Sequence, residues 1–250
     1  MPSATSLLLA CRPQTPFDSA EPGQFVHVDT GRERAFRRPF SVAGLTDDGA
    51  VELLIELRGE GTRTLAELPV GSSLAMMGPL GNGFRLPPAG SHAAVVAGGI
   101  GVAGVRHLVQ RLESAGVDTT VYVGARTADA LLHGVLPRPS DARVATDDGS
   151  AGMRGTVCDL FATGAGALAP DTTVYGCGPR PMLDTLAAVA ARSHLACQVS
   201  LEEMMACGVG ACRGCVVPTV DGYRTVCKDG PVFDASMLVA AERTMEVARG

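Results

Sequence analysis

The chain has 250 residues, 46% hydrophobic and 19% charged, a balance that excludes a disordered chain and allows two compact domains. Its net charge of -5 at pH 7 gives no basis for binding nucleic acid or an anionic membrane. No apolar run approaches the ~18 residues that span a bilayer, and the first residues lack the pattern of an export signal, so a cytoplasmic setting with reduced thiols is expected for the eight cysteines.

Residues 1–90 predict a β-rich domain. SLLLACRP, GQFVHVD, RPFSVAGL, AVELLIEL and SSLAMMG are short apolar or alternating runs, with Pro22-Gly23, Asp47-Asp48-Gly49 and Pro69-Val70-Gly71 as turns between them. Strands of this length and spacing predict a small antiparallel barrel, with one short helix over Thr62 to Leu68. Arg37-Arg38-Pro39-Phe40-Ser41 puts guanidinium, aromatic ring and hydroxyl on one strand. Such groups suit a phosphate, a flat heterocycle and a ring nitrogen. A solvated basic pair beside a core aromatic explains the same residues equally well. Gly59-Glu60-Gly61-Thr62 offers N–H groups and a hydroxyl ahead of the helix, a second phosphate site.

Pro87-Pro88-Ala89-Gly90 reads as a linker, and residues 91–195 as a parallel α/β domain. AAVVAGG is a buried strand, and Val105, Leu108, Val109 and Leu112 follow at helical spacing. TTVYVGA, ARVATDD and TTVYGCGP are further strands, the last followed by a helix carrying Met182, Leu183, Leu186 and Val189. Gly99-Ile100-Gly101-Val102-Ala103-Gly104 is a GxGxxG string between strand and helix. In that context the glycines let the main chain approach a pyrophosphate; without a ligand they make a tight turn. Gly176-Cys177-Gly178-Pro179 ends another strand. Ligands of parallel sheets bind at the carboxyl ends of strands, so both glycine clusters are expected on one edge. Cys177 then falls near the reactive end of a bound dinucleotide, although a lone cysteine after a strand is usually packed core. Arg126 follows the second strand within reach of a 2′-phosphate, which leaves NAD or NADP open.

Residues 196–250 form a tail holding Cys207, Cys212, Cys215 and Cys227, spaced C-x4-C-x2-C-x11-C. The spacing opens like a plant-type [2Fe–2S] ligand run. Gly208, Gly210 and Gly214 let the loop wrap tightly and aim N–H groups at sulfur. No histidine lies between Cys207 and Cys227, which argues against a Rieske centre; a structural zinc ribbon is the alternative use of the same thiolates. Cys11, Cys158 and Cys197 read as core or incidental. Glu202 and Glu203 read as a solvated or interface pair, and Met204-Met205-Ala206 as an adaptable docking face.

In chain order RPFS, GEGT, GPLGNGF, GGIG and GCGP resemble the motifs of the ferredoxin–NADP reductase superfamily. With SLEEMMACGVGACRGCVVP and VCKDGPVF added, the whole chain resembles the electron-transfer subunits of dihydroorotate dehydrogenase B. It departs from the superfamily at Val102-Ala103-Gly104, where a proline is common.

The resemblance implies a two-domain α+β and α/β fold: an antiparallel FAD barrel, a parallel-sheet NAD domain and a C-terminal [2Fe–2S] segment. By the same resemblance Arg38 and Pro39 meet the FAD pyrophosphate region, and Phe40 and Ser41 the isoalloxazine. Gly59, Gly61 and Thr62 bind FAD phosphate, and Gly99 and Gly101 the NAD pyrophosphate. Cys177, Gly178 and Pro179 line the nicotinamide end, and the four tail cysteines hold the cluster. A separate FMN-containing subunit then oxidises dihydroorotate to orotate for pyrimidine synthesis. Its electrons pass through the cluster and FAD to NAD+, in a heterotetramer of two chains of each kind. The alternatives are a reductase subunit of a bifurcating transhydrogenase or sulfide dehydrogenase, an independent ferredoxin reductase, and a zinc-binding module without redox activity.

Overall fold

The computed structural model describes residues 6–15, 20–31, 37–137 and 142–239. The N-terminal strands are β1 Ser6–Cys11, β2 Phe25–Val28, β3 Arg38–Ser41, β4 Gly44–Leu45, β5 Val51–Glu56 and β6 Met76–Leu80, with helix α1 Glu60–Ala66 before β6. They pair as two three-stranded antiparallel sheets, β1-β5-β4 and β3-β2-β6. The closed barrel that the strand spacing predicts is not formed among the described residues. β4 is only two residues long, and the β2–β6 register shifts between Phe25 and His27; both interrupt the continuous ladder that a barrel needs. α1 starts two residues ahead of the expected Thr62, because Thr62 belongs to its cap. The Thr62 hydroxyl donates to the Gly59 carbonyl at 2.9 Å and accepts from the Gly59 N–H at 3.2 Å.

Alternation along β2 gives its two faces different jobs. Val26 and Val28 join Val51, Leu53, Ile55 and Leu65 in the N-terminal core. Phe25 turns to the opposite side and packs with the C-terminal segment.

From residue 92 the chain runs β7 His92–Gly98, α2 Val102–Ser114, β8 Asp118–Ala125, β9 Arg143–Thr146, β10 Met153–Arg154, α3 Val157–Ala165, β11 Thr173–Cys177, α4 Arg180–Arg192 and β12 Ala196–Ser200. It ends with the hairpin β13 Val216–Thr219 and β14 Gly222–Thr225, helix α5 Val226–Asp229 and β15 Val232–Asp234. Seven of these strands form one sheet in the order β10-β9-β8-β7-β11-β12-β15. All neighbours are parallel except β15, which returns antiparallel to β12. The last strand of the large sheet therefore comes from beyond the cysteine run.

Both sheet faces are covered, as a parallel sheet requires. Val95, Ala97, Val123 and Tyr175 face α2, meeting Val105, Leu108, Val109 and Leu112, the spacing predicted from sequence. Ala94, Val96, Tyr122 and Val174 face α3 and α4, meeting Phe161, Leu186 and Val189. Among the described residues no helix is long and apolar enough to cross a membrane.

Two polar locks join the parts. Arg106 on α2 donates to Glu52 on β5 at 2.6 Å and to the Ala43 carbonyl at 3.0 Å, with the paired side chains only 13% and 16% exposed. Asn82, just after β6, donates from its side chain to the Asp229 carbonyl at 2.8 Å and accepts from the Val232 N–H at 3.1 Å. Its own N–H donates to the Gly230 carbonyl at 2.7 Å. The stretch between the two sheet systems is thus bonded to the residues that follow the last cysteine. Asn82→Ala is expected to lower stability by about 1–2 kcal/mol, the net value of two side-chain hydrogen bonds, measured by urea unfolding of the full chain.

Candidate functional site

Strand order reverses between β7 and β11, since β8 and β9 continue to one side and β12 to the other. Ligands of open parallel sheets bind outside the carboxyl ends of the strands at such a point. Ala97 and Cys177 are register partners, so Gly98-Gly99 and Gly178-Pro179 leave the sheet side by side. A cavity of about 540 Å³ opens there, walled by Gly98, Gly99, Ile100, Pro179 and Met182 and, farther out, by Gly124, Arg126, Asp147 and Thr156.

The glycines here answer to close packing. A side chain at Gly101 would collide with the Cys177 carbonyl oxygen. A Cβ at Gly104 would lie 2.6 Å from the Cys177 sulfur and 3.6 Å from the Ser41 hydroxyl. Cys177 therefore lies beneath the cleft, 1% exposed, and neither it, Gly101 nor Gly178 lines the cavity. Burial pushes its thiol well above the usual range, with the Glu202 carboxylate adding to the effect and a Ser200 side-chain hydrogen bond opposing it. The sulfur is thus a neutral packing group at neutral pH.

A second cavity, of about 880 Å³, lies against the N-terminal sheets. Arg38, Pro39, Phe40 and Ser41 line one wall, and Leu201, Glu202, Met204, Met205, Ala206 and Gly214 another. This volume, with a guanidinium, a ring and a hydroxyl along one strand, fits a large flat cofactor bearing phosphates. Gly59, Gly61 and Thr62 do not line it; the Thr62 hydroxyl is engaged in the α1 cap.

The two cavities share Glu56, Arg58 and Ile100 as lining. Arg58 donates to Glu56 at 2.7 Å, and the Glu202 carboxylate acts on the same guanidinium. Crowding by protein raises the Glu202 pKa, the Arg58 charge lowers it, and Glu56 raises it again. Glu202, read from sequence as half of a solvated or interface pair, is exposed and lines the second cavity beside that junction. Its signal in the sequence was its place two residues past β12, on the ligand-bearing edge of the sheet. Arg58 and Glu56 carried no signal, because only folding brings β5 against the glycine loop.

Cys207, Cys212 and Cys215 sit on a loop that borders the second cavity through Ala206 and Gly214, and Cys227 joins them from helix α5 beyond the β13–β14 hairpin. Main-chain N–H groups aim at their sulfurs: Gly210 to Cys227 at 3.0 Å, Cys212 and Val209 to Cys207 at 3.4 and 3.5 Å, Gly214 to Cys212 at 3.4 Å, and Cys227 to Cys215 at 3.4 Å. Gly208 and Gly210 take φ of 73° and 80°, the left-handed region that glycine enters freely. The N–H groups of Cys212 and Val209 hold the Cys207 thiol down to about 6, whereas burial pushes the Cys227 thiol up to about 12. All four are free thiols, and among the described residues no three such side chains converge on a single-ion position. Four thiols ringed by N–H donors suit a thiolate-held iron–sulfur cluster. Of the expected docking residues, Met204 is 89% exposed but Met205 only 8%, because Met205 packs with Cys215, Val217 and Cys227.

A family model described as the iron-sulfur cluster binding domain of dihydroorotate dehydrogenase B matches residues 202–239. Dihydroorotate dehydrogenase B (NAD(+)), electron transfer subunit, of Desulforamulus reducens is 39% identical over 229 residues, 88% of this chain and 87% of its own. The protein of that name from Bacillus caldolyticus is 40% identical over 228 residues, covering 88% and 87%. Among solved structures, an NADH-dependent reduced ferredoxin-NADP oxidoreductase described for flavin-based electron bifurcation is 26% identical, with a TM-score of 0.86 over 99% of this chain and 90% of that one. The ferredoxin reductase in carbazole 1,9a-dioxygenase shares the fold, with a TM-score of 0.66 over 77% and 62% at 19% identity. The fold is that of the ferredoxin–NADP reductases, carrying an added iron–sulfur binding segment.

The raised Glu202 pKa has a definite sign in stability. The folded state binds its proton more tightly than the unfolded chain, so stability falls as pH rises from the ordinary glutamate value to the raised one. Glu202→Gln is expected to flatten that slope, measured by urea unfolding at closely spaced pH values from 4 to 7.

Proposed function

This chain belongs to the family of dihydroorotate dehydrogenase B electron transfer subunits, and from that premise we propose that it moves electrons from an FMN-containing catalytic subunit to NAD+ during pyrimidine synthesis. One observation carries the reading. The two cavities meet at Glu56, Arg58 and Ile100, and the cysteine loop borders the second of them, which supports a reading in which three redox sites adjoin in one chain.

The residues are assigned as follows. Arg38 pairs with FAD phosphate, and Pro39, Phe40 and Ser41 hold the ring system; Gly59, Gly61 and Thr62, which do not line the cavity, keep only the part that the family relation gives them at the FAD phosphates. Gly99 and Gly101 shape the NAD pyrophosphate site, and Gly178 and Pro179 the nicotinamide end, with Cys177 a positioning residue beneath them. Cys207, Cys212, Cys215 and Cys227 hold the [2Fe–2S] cluster. When bound, the cluster supplies single electrons, the flavin exchanges one or two, and NAD+ accepts a hydride.

Electrons that arrive singly bring no proton, whereas a hydride contains one. That proton comes from solvent, and a protein group at the junction can relay it. Glu202 lines the flavin cavity and keeps its proton to a higher pH than an ordinary glutamate, the property wanted of such a group. Arg58 balances the Glu56 and Glu202 charges, so anionic cofactors meet less repulsion. At the outer end of the NAD cavity Arg126 and Asp147 both face the adenosine side. Asp147 suits a ribose 2′-hydroxyl and Arg126 a 2′-phosphate, and NAD is preferred here on the family relation. Met204, exposed beside the cysteine loop, belongs to the face that meets the FMN subunit, in an assembly of two chains of each kind.

The test is anaerobic. NADH added to the purified chain should bleach its flavin and raise a [2Fe–2S] EPR signal; a colourless, iron-free protein that holds zinc would refute the reading. Cys212→Ser should abolish the cluster signal while NADH still bleaches the flavin. Met204→Asp should weaken co-elution with the FMN subunit at least tenfold, about 1.4 kcal/mol, and leave FAD bound. Unchanged co-elution would remove Met204 from the interface.

A further inference from the structure

His27 lies in the middle of β2 and is 1% exposed. A histidine inside a short strand is a poor choice for packing alone, since an imidazole needs hydrogen-bond partners that an aliphatic side chain does not. Val26 and Val28, its neighbours, fill the N-terminal core. His27 points the other way, with Phe25, toward the cysteine segment. A Cβ at Gly208 would lie 2.8 Å from His27 Nδ1, so the ring rests against the main chain directly after Cys207. The main chain at Met205, and less strongly at Arg37, lies close enough to act on the imidazole, while its Nε2 has no partner. One side chain of the N-terminal sheets thus touches both ends of the stretch Met205–Gly208 that carries the first cysteine of the run.

The N–H groups just past that stretch, on Val209, Gly210 and Cys212, point at the sulfurs of Cys207 and Cys227. Hydrogen bonds to ligating sulfurs tune the potential of an iron–sulfur cluster. Gly208, at φ 73°, has no side chain to hold its own position, and the imidazole fills the space where one would be.

We propose that His27 is a positioning residue of the cluster, bracing the Met205–Gly208 main chain from β2 so that the following N–H groups keep their aim at sulfur, and thereby setting the cluster's potential and spectrum. The inference rests on the cluster assignment above. It goes beyond that assignment by giving the N-terminal sheets a part in cluster electronics as well as in holding flavin.

The experiment compares the full wild-type chain with His27→Leu and His27→Gln, each purified anaerobically and assayed for iron and FAD before an EPR-monitored redox titration. Leucine keeps the apolar volume and loses the polar ring nitrogens; glutamine keeps a polar amide facing the same backbone. Both variants are expected to hold FAD and iron at the wild-type ratio. The Leu variant should show altered g-values and a severalfold change in the ratio of reduced to oxidised cluster at a fixed NADH/NAD+ ratio, and the Gln variant a smaller change in the same direction. Wild-type spectra and potentials in both variants would overturn the proposal. So would equal changes in both, because that would mean generic repacking. If the Leu variant loads no iron, the Gln variant decides alone: a shifted spectrum at full iron upholds the role, and a wild-type spectrum ends it. A wild-type chain without iron or flavin would instead refute the assignment on which the proposal rests.

Discussion

Cys215 and Cys227 are each 2% exposed and lie in one core with Phe25 of β2, Leu183 of α4, Val199 of β12 and Phe233 of β15. That core joins all three parts of the chain, and the remaining arrangement depends on it. Protein interiors are close-packed, and a shared core does not let its walls slide past one another. The cysteine loop is therefore held at a set place beside the large cavity. Electron exchange between neighbouring centres calls for such fixed separation, and here it is secured by apolar packing with the Asn82 bonds at its edge.

A second constraint operates at the switch point of the large sheet. The glycine loop after β7 lies directly on the main chain of Cys177, close enough to exclude any side chain at Gly101. This contact lowers Ile100 to the junction of the cavities, where it meets Glu56 and Arg58. Charge at the junction is arranged with the same economy. Arg58 lies between two carboxylates, one of them crowded enough to hold its proton more firmly than usual. Packing sets the distance between the two sites, and these few charges set what can enter and what can be protonated there.

Much of this was legible before folding was considered, and the reason is local. The run Val105, Leu108, Val109 and Leu112 has helical spacing and lies buried on α2. AAVVAGG and TTVYVGA are continuous apolar runs and form the central strands β7 and β8. Elements with weaker local signals escaped. α3 is a nine-residue helix with a glycine near its end, too short and mixed to stand out. The β13–β14 hairpin carries the exposed Tyr223 and Arg224, so its alternation is blurred. The barrel was an overreach of the same kind: strand spacing tells how many strands there are, and pairing over distance decides whether they close.

The candidate site divides along the same line. Cysteine spacing, the glycine loop and RPFS are short-range patterns whose chemistry is written in adjacent residues, and for these the amino-acid sequence by itself determined which candidate donors stand together. Glu56, Arg58 and His27 carry no such pattern. Glu56 and Arg58 acquire meaning when β5 meets the loop after β7, and His27 when β2 turns one face toward Gly208. Only the tertiary structure could decide these, because burial, shared cavities and the pKa of a crowded carboxylate are properties of groups distant in sequence and adjacent in space.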